Sequence, residues 1–223
     1  MAKRDYISEI LSRKQRLHKR GGRWALLSRK LDPLADCFNF LLAPGLVPES
    51  VRTELIRYLP VAHIAVLEGY FRLVYAELIN HGDPYLTNAG QFKEIKLSLE
   101  PIIGLHKRDT TTGELIAHFL PHNSASDIEN NMTTLLGHSF RGALLDEEFI
   151  PSDATAGVSM RELDEPVWKG LHRMFELRHV VCHELATKSS FRLTAIQELC
   201  QIAILFIIVS DTYICKRLGQ KPP

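Results

Sequence analysis

Seven residues, 178–184, combine side-chain types that can transfer protons and bind an anion. They include Arg178, His179, His183 and Glu184, which are one fixed cation, two imidazoles and a carboxylate. Histidine suits proton transfer because its unperturbed pKa is about 6.5, and arginine suits phosphate because its guanidinium is always charged and offers forked donors. RNA supplies its own nucleophile, the 2′-hydroxyl. We therefore predict that Arg178 contacts the phosphate, that His183 transfers the proton, and that His179 supports it or takes a second proton step.

The same segment allows two other interpretations. A helix turns about 100° per residue, so one polar stripe collects His172, Glu176, His179 and His183. The i,i+4 spacing of His179 and His183 would let two imidazoles share a metal ion, with His172 or Glu176 as a third ligand. The segment is not His-Glu-x-x-His, and no second helix carries a matching Glu-x-x-His, so we predict neither a metal nor a cofactor. The remaining interpretation is a hydrated helix surface rich in histidine.

The spacing within the motif sets a geometric condition. Arg178 and His183 are five residues apart, so their Cβ directions differ by about 140° on a regular helix. A curled arginine, a distorted helix or a second subunit would be needed to bring both side chains to one phosphate. A simpler role for Arg178 is an ion pair with a neighbouring acid.

The composition is that of an ordinary globular protein. The chain has 223 residues, of which 45% are hydrophobic and 24% charged, enough for one domain with a sizeable core. Residues 1–30 carry a net charge of +8, although the whole chain carries only +1. This basic segment indicates either contact with a polyanion or a partner's acidic surface, or simply a solvated helix surface. The four cysteines are widely spaced, there is no apolar leader, and the longest apolar run has eight residues, 202–209. These features predict a cytoplasmic protein with reduced thiols and no membrane contact.

Apolar residues recur at helical spacing over most of the chain. The predicted helices cover residues 5–19, 24–42, 48–58, 60–82, 92–99, 114–120, 127–136, 165–188 and 191–218. The sequence Asp164-Glu165-Pro166 is a typical helix start, residues 151–158 are predicted to form a loop, and a β-hairpin in the middle region stays open. A short link makes the last two helices antiparallel neighbours. The predicted fold is therefore all-α, an up-and-down helical bundle.

Two segments resemble motifs of the HEPN superfamily of ribonucleases. Arg178 and His183 are similar to its Arg-x(4–6)-His signature, and residues 66–72 (VLEGYFR) are similar to a pattern on an earlier helix. The resemblance is closest to the stand-alone ribonuclease-like branch. It covers residues of about 60–218, with a poorly matched insertion at about 83–160, and residues 1–50 lie outside it. We therefore predict a HEPN-like helical bundle over residues 51–223 and a basic helical extension at 1–50.

The family resemblance also implies a function. It implies a homodimer in which two copies of the motif face one cleft. It further implies a metal-independent endoribonuclease that serves as a toxin or phage-defence effector, with RNA as substrate and an antitoxin or other regulatory partner. The expected products are a 2′,3′-cyclic phosphate and a 5′-hydroxyl. The alternative is a non-catalytic HEPN-like module for binding or dimerisation.

Further residues are predicted to support the site. Glu68 and Arg72 form either an ordinary i,i+4 surface ion pair or, through Glu68, a group that orients Arg178 or His183; Glu176 is a third supporting residue. Cys182 is expected to pack as a small apolar side chain. RNA phosphates, or a partner's acidic surface, are expected to contact the basic residues Lys14, Arg16, Lys19 and Arg20.

Overall fold

The described residues form an all-α bundle with one short pair of strands. The computed structural model describes residues 8–12, 22–43, 45, 47–92, 110–149, 158–183 and 191–220. Its elements are α1 (Arg23–Leu42), α2 (Glu49–His81), α3 (Tyr85–Ala89), α4 (Thr112–Phe119), α5 (Ala125–Leu136), α6 (Phe140–Leu144), β1 (Glu148–Phe149), β2 (Val158–Ser159), α7 (Met160–His183) and α8 (Leu193–Arg217). Residues 8–12 are also helical. The predicted all-α fold class is confirmed.

Helix α2 is continuous where the sequence predicted two helices. We expected a break between residues 58 and 60, because proline lacks the N–H that bonds the preceding turn. The break is wrong: α2 runs from Glu49 to His81 with Pro60 inside. Buried apolar side chains lie on both sides of the proline, at Ile56, Leu59 and Ile64. Packing of one unbroken apolar face compensates for the hydrogen bond that Pro60 cannot form.

The long helices alternate in direction. Arg52 Nε near the start of α2 donates to the Leu41 carbonyl at the end of α1, at 3.2 Å, whereas the start of α1 meets the later part of α2 through Arg23 and Glu77. These two contacts make α1 and α2 antiparallel. The α1 residues Leu27, Phe38 and Leu41 belong to the same core cluster as α2, so the predicted extension 1–50 shares its core with the bundle from residue 22 onward.

Helices α7 and α8 are also antiparallel and very close. The rings of Trp168 and Phe206 lie 5.3 Å apart, and Gly170 faces Ile202, four residues back along α8. A Cβ added at Gly170 would lie 2.6 Å from Cδ1 of Ile202. The missing side chain at Gly170 therefore permits the close approach of the two helices.

Helix α7 starts earlier than predicted. It begins at Met160, directly after β2, and not at about residue 165. Asp164 is not an N-cap, because its carboxylate accepts two hydrogen bonds from Arg141, at 2.8 and 2.7 Å. Met160 is buried, and its amide bonds the carbonyl of Glu147 at 3.1 Å. Tertiary packing at Met160 thus overrides the local start signal.

The middle region contains a small antiparallel strand pair. Strand β1 pairs with β2, with Glu148 opposite Ser159, which realises the hairpin left open by the sequence. Helices α4 and α5 confirm the predictions for 114–120 and 127–136, and the capping box of α4 at Thr111 and Glu114 explains its start. The predicted helix 92–99 beyond residue 92, the loop 151–157 and the end of helix 165–188 beyond residue 183 lie outside the described residues.

A buried ion pair ties α1 to α8. Arg23 Nε donates to Asp211 Oδ1 at 2.5 Å, and the two side chains are 8% and 3% exposed. Arg23 also pairs with Glu77 of α2, and the Tyr70 hydroxyl donates to Asp211 at 3.1 Å. Helix α8 is the one described helix whose length and composition would allow it to cross a membrane. In this fold it packs on α2 and α7 and carries the charged residue Asp211 in the core.

Candidate functional site

The polar stripe of α7 faces outward as the periodicity predicts. Val167, Leu171 and Met174 are buried on the opposite side. The exposed stripe consists of His172, Glu176, His179 and His183. Amphipathic spacing is the cause, since one side of α7 packs on α2 and α8 and the other remains in solvent.

Two imidazoles stand together at the end of the stripe. The ring centres of His179 and His183 lie 4.9 Å apart, with 44° between the ring planes. Both residues are exposed. Neither ring forms a hydrogen bond or an ion pair with any residue that the structure describes. The rings are therefore accessible to a substrate or an ion from solvent.

Arg178 points away from these rings, toward α2. Its Nη2 lies 3.5 Å from Glu68 Oε1, and the side chains are 28% and 16% exposed. That carboxylate oxygen is fully buried and makes no hydrogen bond with the described residues. Burial raises the pKa of Glu68, and the charges of Arg178 and Arg72 only partly offset the rise. Glu68 is thus a desolvated acid that forms an ion pair with the arginine of the motif.

Arg72 takes a different partner from the one an i,i+4 pair would give. Its Nη2 lies against Nε2 of His122. Nδ1 of His122 is 2.8 Å from the Leu120 carbonyl, so Nδ1 carries the proton and Nε2 accepts from the arginine. The two supporting residues of α2 therefore diverge, with Glu68 facing α7 and Arg72 facing the α4–α5 connection.

The structure does not join all the predicted site residues into one cluster. Arg178 lies in the groove between α2 and α7, whereas His179 and His183 point outward, which matches the divergence calculated for a regular helix. Glu176 accepts a hydrogen bond from Arg173 at 2.9 Å, and both side chains are exposed. Within the described residues no three metal-ligand side chains converge.

Two predictions about other residues have different outcomes. Cys182 is exposed and not packed in the core, because it lies on the solvent side of α7 beside His183. The basic residues proposed to contact RNA, Lys14, Arg16, Lys19 and Arg20, lie outside the described residues. Helix α1 contributes Arg23 from the same basic region, but this side chain is buried in the ion pair with Asp211.

Sequence reasoning missed His122 and the partners of Arg23. His122 and Arg72 are 50 residues apart, and Arg23 and Asp211 are 188 residues apart. No local motif marks either contact. The one available signal was an aspartate inside the apolar helix α8, which requires a buried partner.

Comparison with known proteins adds no relative. No protein-family model, no curated protein and no solved structure matches the chain.

Proposed function

We propose that the protein is a metal-independent endoribonuclease of the HEPN type. The observation that supports this most is the pair of accessible imidazoles, His179 and His183, whose ring centres lie 4.9 Å apart. Arg178 lies on the same helix, points away from the two rings and is held by Glu68 at 3.5 Å. The resemblance of the motif to the HEPN signature supports the same assignment.

The proposed reaction is transesterification within RNA. The 2′-oxygen attacks the adjacent phosphorus, the new 2′-O–P bond forms, and the P–O5′ bond breaks. A proton leaves the 2′-hydroxyl and a proton reaches the 5′-oxygen; we assign proton transfer to His183, with His179 in support or in the second proton step. Arg178 neutralises the charge that builds on the phosphate oxygens. The products are a 2′,3′-cyclic phosphate and a 5′-hydroxyl.

The proposal includes a homodimer. Arg178 and His183 diverge on one α7 helix, so a second copy is the direct way to place a histidine and an arginine on the same phosphate. We place α7 at the dimer interface. In the cell, such an enzyme would act as a toxin or a phage-defence effector in the cytoplasm, under the control of an antitoxin or another regulatory partner.

Cleavage of RNA in EDTA tests the proposed function. We expect the purified protein to cut RNA in the chelator and to leave a substrate with a 2′-deoxy nucleotide at the cut site intact. His183→Ala should slow cleavage by about 10²–10⁴-fold, because it removes a proton-transfer group. Arg178→Lys should also impair cleavage, because it keeps the charge but loses the forked donors.

His172→Ala is the matched control, since His172 is also an exposed histidine of the same stripe. It should cleave like the wild type. Helicity and melting temperature should be unchanged in all three variants. Wild-type rates in both His183→Ala and Arg178→Lys would show that the motif does not carry the activity.

A specific observation favours the rival function, a binding or dimerisation module. Val51, Leu55 and Tyr58 are large, exposed and spaced i, i+4 and i+7 on α2, at 47%, 36% and 56% exposure. Such a stripe on one helix is typical of a protein-binding surface. Absence of RNA cleavage in EDTA, together with a stable dimer, would favour this alternative.

A further inference from the structure

The imidazoles of His179 and His183 have the geometry of a chelating pair. They are one helical turn apart on the exposed side of α7, and their ring centres are separated by 4.9 Å. Two histidines at i,i+4 on one helix face can donate to the same zinc ion. Neither ring has a hydrogen-bonding partner among the described residues that would have to be displaced.

The ring separation agrees with a single shared ion. Zn–N bonds are about 2.0–2.1 Å, and an imidazole nitrogen lies roughly 1.1 Å from its ring centre, so two rings bound to a tetrahedral ion have centres about 5.2 Å apart. The observed 4.9 Å is close to that value. Small rotations about the side-chain bonds are sufficient to aim both nitrogens at one ion, because both rings are in solvent.

We propose that His179 and His183 form a two-histidine site for a borderline divalent cation, with zinc as the representative ion, and that the bound ion inhibits RNA cleavage. The inhibitory part rests on the proposed function. A nitrogen that donates its lone pair to zinc cannot accept the proton of the 2′-hydroxyl, so metal occupancy withholds both imidazoles from the reaction. Water completes the coordination sphere, and the metal takes no part in catalysis.

The affinity should depend on both histidines. Among the described residues of α7, the charged groups nearest the pair are Arg173, Glu176 and Arg178. The first two pair with each other, and the third pairs with Glu68. These groups are already paired, so the site depends chiefly on the two rings.

Isothermal titration calorimetry of the full-length, metal-free protein with ZnCl2 tests the site without RNA. We expect one ion per pair of rings in the wild type. His179→Ala and His183→Ala should each weaken binding by about tenfold or more, since even groups behind the ligands are worth 10–100-fold in affinity. His172→Ala and Cys182→Ser should bind like the wild type, because neither side chain belongs to the pair.

RNA cleavage by the wild type, with and without ZnCl2, tests the inhibition. We expect zinc to stop cleavage and EDTA to restore it fully, in proportion to the occupancy measured by calorimetry. Cleavage that continues at full zinc occupancy would overturn the inhibitory role. Lack of zinc binding, or equal loss of binding in the His172→Ala or Cys182→Ser control, would overturn the two-histidine site.

The two proposals fail in different ways. A protein that binds zinc through His179 and His183 but does not cleave RNA in EDTA would refute the ribonuclease and its inhibition and leave the metal site standing. A protein that cleaves RNA in EDTA but does not bind zinc would refute only the metal site.

Discussion

Replacing Asp211 with asparagine should destabilise the whole bundle, because it leaves a buried guanidinium without its main counter-charge. The Asp211 carboxylate is 2.5 Å from Arg23 Nε, at 3% and 8% side-chain exposure. Removing one partner of such a pair typically costs 3–5 kcal/mol. Glu77 still contacts Arg23 but is 34% exposed, so we expect a loss near the lower end, about 3 kcal/mol.

The size of this loss can be measured by urea unfolding at pH 7, followed by circular dichroism. For a protein of this length, about 3 kcal/mol corresponds to a fall in melting temperature of roughly 6–12 °C. The matched control is Asp146→Asn, which removes the same charge from an exposed ion pair. The side chains of Arg161 and Asp146 in that pair are 68% and 79% exposed. Exposed pairs contribute about 0–1 kcal/mol, so the control should unfold almost like the wild type.

The outcome also decides how α1 and α8 are held. If the free energy of unfolding of Asp211→Asn lay within about 1 kcal/mol of the wild-type value, the Arg23–Asp211 pair would contribute no more than an exposed pair. Such a result would refute the conclusion that the buried contact with Arg23 joins α1 to the core. Salt provides a second test, since buried charges are little screened. If high salt lowered the free energy of unfolding of the wild type as much as the Asp211→Asn substitution does, the pair would not be buried.

The remaining predictions concern Glu68 and the assembly. Burial raises the folded-state pKa of Glu68, so its contribution to stability is present below the unfolded-state pKa and is lost as the pH rises through the folded value. Glu68→Gln should therefore be at least as stable as the wild type at pH 7, yet lose kcat because Arg178 loses its anchor; wild-type kcat would refute the positioning role. Light scattering at micromolar concentration should give twice the chain mass of 25.3 kDa, and a monodisperse monomer would contradict the proposed dimer.

The periodicity of apolar residues was sufficient to predict the elements that carry the site. It predicted α7 and α8 as long neighbouring helices and placed His172, Glu176 and His179 on the exposed side of α7. This works because the outward and buried faces of a helix repeat every 3.6 residues, so the direction of a side chain follows from its position alone. The divergence of Arg178 and His183 was predictable for the same reason.

Only the tertiary structure decided which partners the charged side chains take. The i,i+4 spacing of Glu68 and Arg72 would also allow an ion pair between these two residues. In the fold, α7 places Arg178 beside Glu68, and the α4–α5 connection places His122 beside Arg72. Pro60 is likewise tolerated because packing outweighs one lost hydrogen bond. Such outcomes depend on segments that are distant in sequence. The sequence therefore determines the helices and their faces, whereas the burial and pairing of each charge are determined by how the helices meet.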